Sequence, residues 1–133
     1  MRYLPTALLA LALPLIGCGD DPKTDAELFC GRVADHHDQL ADPTIATAAD
    51  IESVVALYES VGEVAPVEIA PDWSQLVVNV ETASTVVPDD EASVQRTIEV
   101  ALESEKSAAA VNAWLAEHCG IQIGPAVTLV AHD

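Results

Sequence analysis

Positive charge is what this chain has least of. Five lysines and arginines stand against 22 aspartates and glutamates, for a formal net charge of −17. Beyond Arg2 only Lys23, Arg32, Arg96 and Lys106 are cationic. Phosphate contacts need such side chains, so the composition excludes a nucleic-acid-binding surface. Anionic lipid head groups are repelled too, and any hold on a membrane must come from something other than surface charge. Glycine is also scarce, six residues in all, and none sits in a phosphate-cradling loop. The serines Ser53, Ser60, Ser74, Ser84, Ser93, Ser104 and Ser107 fall mostly in helical patterns, without the glycine-flanked elbow of a hydrolase nucleophile. The alternating Asp/Asn spacing of a calcium loop, with its central glycine, is missing as well. The apolar run Leu8–Leu13 is too short to cross a bilayer, and Pro5 and Pro14 flank it.

What is present begins with that run. Arg2, the apolar stretch and the small residues after it have the layout of a secretory signal. Its end, Leu15-Ile16-Gly17-Cys18, resembles the lipobox of bacterial lipoproteins: an aliphatic residue three before the cysteine and a small residue directly before it. The resemblance implies cleavage before Cys18 and thioether lipidation of Cys18. The bland alternative is an ordinary secretory signal that happens to end near a cysteine. The polar run Gly19-Asp20-Asp21-Pro22-Lys23-Thr24 suits a tether that lets a folded domain stand clear of the bilayer. Two or three acyl chains anchor such a protein stably, where one would bind only marginally. The chain is therefore divided into a lipoprotein signal peptide (1–17), the lipidated cysteine and acidic tether (18–24), and a single domain (25–133). Cleavage removes Arg2 and no acidic residue, so the mature chain is more negative still.

Once that resemblance assigns Cys18 to lipid, Cys30 and Cys119 are left of the three cysteines. In an exported chain they are expected to pair.

The domain reads as helical. Thr24-Asp25-Ala26-Glu27 is a capping box. Behind it Ala26, Phe29, Cys30, Val33, His37 and Leu40 form one apolar stripe, ended by Asp42-Pro43. Thr47 to Asp50 caps a second helix with the stripe Ile51, Val54, Val55, Tyr58, Val61 and Ala65. Pro66 and Pro71 bracket a bend. From Asp72 a third stripe follows through Trp73, Leu76, Val77, Val80 and Val87; Val77 to Val80 suits a strand by composition, but the helical spacing decides for helix. Asp89-Asp90-Glu91 opens the last helical region, whose stripe runs from Val94, Ile98 and Leu102 through Val111 and Leu115 to Cys119. A break or kink is expected at the polar Ser104-Glu105-Lys106-Ser107. Gly120 marks a helix C-terminus, and Ile121 to Asp133 is expected to pack as an apolar C-terminal strap. The expected fold is all-α, a small bundle of four to five helices with a Cys30–Cys119 disulfide. Phe29, Tyr58, Trp73 and Trp114 lie on or beside the stripes and read as core rather than as a ligand box.

The mature chain also resembles a loose set of uncharacterised small lipoproteins of high-GC Gram-positive bacteria. Phe29-Cys30, Ala65-Pro66 with Ile69 and Asp72-Trp73, and Val111-Asn112-Ala113-Trp114 leading to Cys119-Gly120-Ile121 carry the likeness. It implies fold and export, and no activity.

The conspicuous polar cluster is Asp35-His36-His37-Asp38. Adjacent helical residues point about 100° apart, so the two histidines cannot clasp a metal as a pair four apart can. The ordinary reading puts His37 on the buried stripe and His36 in solvent. The sharper one joins His37 and His118 to Cys30 and Cys119 as a zinc site, against which stand export and the lack of finger-like spacing. The acidity reads as a solvated surface, or as a face for divalent cations or a cationic partner. Together these readings predict a lipid-anchored extracytoplasmic binding or interaction module with no enzymatic activity and no cofactor. Its expected contacts are the membrane through its anchor and a protein or envelope component. The alternative is a zinc- or calcium-binding envelope protein.

Overall fold

The structure, a computed structural model, describes residues 24–124. Cys18 and the signal, most of the tether, and the strap beyond Gly124 lie outside the described residues. Five helices follow one another: α1 (Asp25–Asp35), α2 (His37–Ala41), α3 (Ala48–Gly62), α4 (Ala70–Ser84) and α5 (Glu91–Cys119). Among the described residues there is no strand, so the Val77–Val80 run is helical, as its spacing predicts. Helix α4 is central. It packs against α3 on one side and α5 on the other, and α1 bridges from α3 to α5.

The helix starts follow from their caps. Thr24 accepts the Glu27 amide at 3.2 Å while Glu27 Oε2 accepts the Thr24 amide at 2.9 Å. Thr47 and Asp50 repeat the arrangement at α3, and the Asp50 carboxylate also accepts the Ala46 amide. These donors, the Thr47 hydroxyl first, hold the Asp50 carboxyl below its usual range. At α4 the cap is Ile69, with Pro71 in the first turn where its missing N–H costs nothing. Asp90 caps α5 by accepting the Ala92 and Ser93 amides. At the far end Gly120 takes φ 64°, and its amide returns to the Leu115 carbonyl.

Two expectations about helix continuity are corrected. Residues 25–41 do not form one helix: the chain breaks at His36. Asp and His are weak helix formers, and four in a row leave little local support for continuing. Conversely, α5 runs unbroken through Ser104-Glu105-Lys106-Ser107. Ser104 is fully buried, and its hydroxyl donates to the Val100 carbonyl at 2.7 Å and accepts from Gln75 Nε2 at 3.3 Å. The polar residue is absorbed at the α4–α5 contact.

The core is an aromatic cluster. Trp73, 1% exposed, meets Phe29 edge to face with centroids 5.3 Å apart and stacks on Tyr58 at 5.5 Å. Phe29 in turn meets Trp114 at 5.5 Å. The polar ends are satisfied: Trp73 Nε1 donates to the Tyr58 carbonyl at 2.8 Å and the Tyr58 hydroxyl to the Leu40 carbonyl at 3.3 Å. Burial pushes the Tyr58 phenol up to about 12. Edge-to-face and offset pairs add about 0.5–1.5 kcal/mol beyond the area they bury.

The last turn of α3 presses on this cluster. A Cβ on Gly62 would lie 3.0 Å from Trp73 Cδ1, and Trp73 is too enclosed to yield. Gly62→Ala is therefore expected to destabilise by about 1–3 kcal/mol despite alanine's better helix propensity. A denaturant midpoint at or above the parent's contradicts that packing.

The predicted stripes fail at their outer ends. Val87, Ile98 and Leu102 are 52%, 50% and 59% exposed. Helix α5 is 29 residues long and α4 is 15, or about 43 Å against 22 Å at 1.5 Å per residue. The first half of α5 has α4 along one side only, the side of Thr97 and Ser104; Ile98 and Leu102 lie off it, and the buried residues of α5 begin at Ser104.

Candidate functional site

Candidate chemistry lies where α1, α2 and the end of α5 meet. Cys30 on α1 and Cys119 at the end of α5 are disulfide-bonded, with Cα atoms 5.5 Å apart and 89 positions between them in sequence. The expected pairing is present. With the sulfurs joined, neither is a free thiolate for the zinc site weighed above.

The histidines do not converge either. His36 Nδ1 faces Gln39 Oε1 at 3.1 Å. His118 stacks on Trp114, centroids 4.2 Å apart, and its Nδ1 lies 3.0 Å from the Trp114 carbonyl. His37, expected on the buried stripe, has 42% of its side chain exposed. The break at His36 starts a new helix with a new phase, which turns the ring outward toward the strap. There His37 Nε2 sits 2.8 Å from the Gln122 carbonyl, while Nδ1 sits 3.3 Å from Asp38 Oδ1. Both contacts raise its pKa above 6.5, the Gln122 carbonyl more than Asp38. Among the described residues no group of three or more His, Cys, Asp or Glu side chains is placed to hold a metal ion. His37–Asp38, an ion pair when the ring is protonated, is the one such contact among them.

The described part of the strap, Ile121–Gly124, is fastened to the bundle. The Ile121 amide reaches the Leu115 carbonyl at 3.3 Å. One turn back on α5, Asn112 Oδ1 accepts the Ile123 amide at 3.1 Å and Asn112 Nδ2 donates to the Gly124 carbonyl. Ile123 is 4% exposed. The chain after α5 thus turns and runs back along it, held by Asn112 from α5 and His37 from α2. Sequence reasoning missed Asn112. The available signal was an amide side chain in the otherwise apolar run Ala108 to Leu115, a position that favours pairing with nearby backbone.

Two surface depressions lie near these elements. One of about 260 Å³ lies between the end of α2 and α3, lined by Gln39, Pro43, Thr44 and Ser53 among others. The other follows consecutive residues Ala34 to Gln39. In the first, the Ser53 hydroxyl is engaged with the Ala49 carbonyl and the Asp50 carboxylate with its cap. No helix among the described residues is long and apolar enough to cross a membrane. Compared with protein-family models, curated proteins and solved structures, the chain matches none of them.

Proposed function

We propose that the protein is an extracytoplasmic interaction module held at the membrane by lipid on Cys18. One observation carries the reading beyond the lipobox-like Leu15-Ile16-Gly17-Cys18: the Cys30–Cys119 disulfide. Structural disulfides persist in oxidising compartments outside the cytosol, where a processed lipoprotein resides. The tether supports it as well, since a capped helix begins at Thr24 directly after the acidic run. The partner is a protein or a component of the envelope, recognised through exposed helix faces. Binding fits the described surface better than catalysis, because small-molecule chemistry favours a deep pocket with converging polar groups.

The full chain expressed in a lipoprotein-processing host tests this. Parent protein is expected in the detergent phase on phase partitioning, and Cys18→Ala in the aqueous phase. A Cys18→Ala protein that stays with detergent removes the anchor. Capture on the tagged parent, from solubilised membranes, is expected to retain a discrete partner that Cys18→Ala retains too. The parent retaining nothing contradicts the interaction role.

A further inference from the structure

The strap's contact with α2 has a property that backbone packing alone does not require. Both ring nitrogens of His37 face oxygen acceptors, Nε2 the Gln122 carbonyl at 2.8 Å and Nδ1 the Asp38 carboxylate at 3.3 Å. A neutral imidazole carries one N–H and satisfies one of them. With the proton on Nε2, a ring lone pair is turned on the Asp38 carboxylate. With it on Nδ1, the lone pair is turned on the Gln122 carbonyl. Only the imidazolium donates to both.

We propose that His37 is a proton-operated latch, tying the strap Ile121–Gly124 to α2 as the cation and loosening it as the neutral ring. The surrounding groups leave this assignment to His37. On its own helix the charged neighbour is Asp38; from the strap a carbonyl faces it. Nearby His36 is turned to Gln39, and on α5 His118 is turned to Trp114. The latch works beside two uncharged fastenings, the Asn112 clamp and the bond from the Ile121 amide to the Leu115 carbonyl. Loss of the cation therefore loosens the strap rather than unfolding the domain. What loosens with it is Ile123, the apolar plug at 4% exposure.

The direction of the pH effect follows from the raised folded-state pKa of His37. Docking is fully supported below the free imidazole value near 6.5 and weakens as pH rises through the higher value of the docked ring. Acid tightens the strap.

Amide hydrogen exchange and histidine NMR on the full chain between pH 5 and 8 test the proposal. Corrected for intrinsic exchange, protection at the Ile123 amide is expected to fall as pH rises. The fall is about tenfold for each pKa unit by which docking raises His37. His37→Gln keeps an N–H donor but cannot titrate, and should flatten that dependence. Asp38→Asn should lower the His37 titration point and shrink the effect. Titration of His37 at or below 6.5 in the parent, or an unchanged pH dependence in His37→Gln, overturns the latch.

Discussion

Removing the Cys30–Cys119 bond is expected to lower the melting temperature by about 15–30 °C, the largest change any local edit should produce. The bond closes a loop of 89 positions. Chain entropy alone makes such a closure worth about 4–5 kcal/mol, an upper figure because native strain subtracts from it. A domain of this size has about 5–15 kcal/mol of net stability, and each kcal/mol moves its midpoint by about 4–8 °C. The position of the bond sharpens the expectation. Helix α1 enters the core through Phe29 and Val33, both fully buried, and the bond one residue from Phe29 fixes that entry to the end of α5. Calorimetry with and without reductant measures the effect, and Cys30→Ser/Cys119→Ser repeats it without reoxidation. A midpoint within about 2 °C of the oxidised parent, far inside the span expected for 4–5 kcal/mol, contradicts the staple.

Trp73→Ala is expected to cost about 3–5 kcal/mol, the range for emptying a large buried aromatic site. Trp73 joins the elements: it stacks on Tyr58 of α3, meets Phe29 of α1 edge on, and sits in the α4 stripe beside Leu76 and Val80. Its Nε1 bond to the Tyr58 carbonyl is lost with the ring. Urea unfolding should show a lower midpoint with little change in slope, since the same core still unfolds as a unit. Val67→Ala, at a site 82% exposed, is the control and should stay within about 0.5 kcal/mol. Equal midpoints for the two variants contradict a core centred on Trp73.

Local chemistry made most of this fold legible in the sequence. The caps at Thr24, Thr47 and Asp90 and the stop at Gly120 are written in short motifs, and α1, α3 and α5 start or end within a residue or two of them. The middle of each stripe was legible because it repeats at helical spacing: Phe29 and Val33, Val54 and Tyr58, Trp73 and Leu76, Val111 and Leu115 are all buried. What the pattern could not show is which side a neighbour covers. Ile98 and Leu102 keep the spacing of a buried stripe, yet α4 lies along the side of α5 that carries Thr97 and Ser104 and leaves them in solvent. Ser104 breaks the apolar pattern, yet lies inside because Gln75 across the interface meets its hydroxyl. Spacing reports one helix; burial depends on two.

The site was less legible for the same reason. One continuous helix would turn His37 inward; the break one residue earlier turns it to the strap instead. Its partner, the Gln122 carbonyl, is 85 positions away and carries no side-chain signature. Asn112 works through backbone groups of Ile123 and Gly124 in the same way. Contacts from a side chain to a distant backbone leave no motif in either segment.

Intact mass spectrometry of the native product, taken before and after reduction, tests the central claim most directly. The account predicts a chain lacking Met1 to Gly17, heavier at Cys18 by a diacylglyceryl group with or without a further acyl chain, and two hydrogens heavier after reduction as Cys30 and Cys119 part. A product that still begins at Met1, a bare thiol at Cys18, or a mass unmoved by reduction contradicts it.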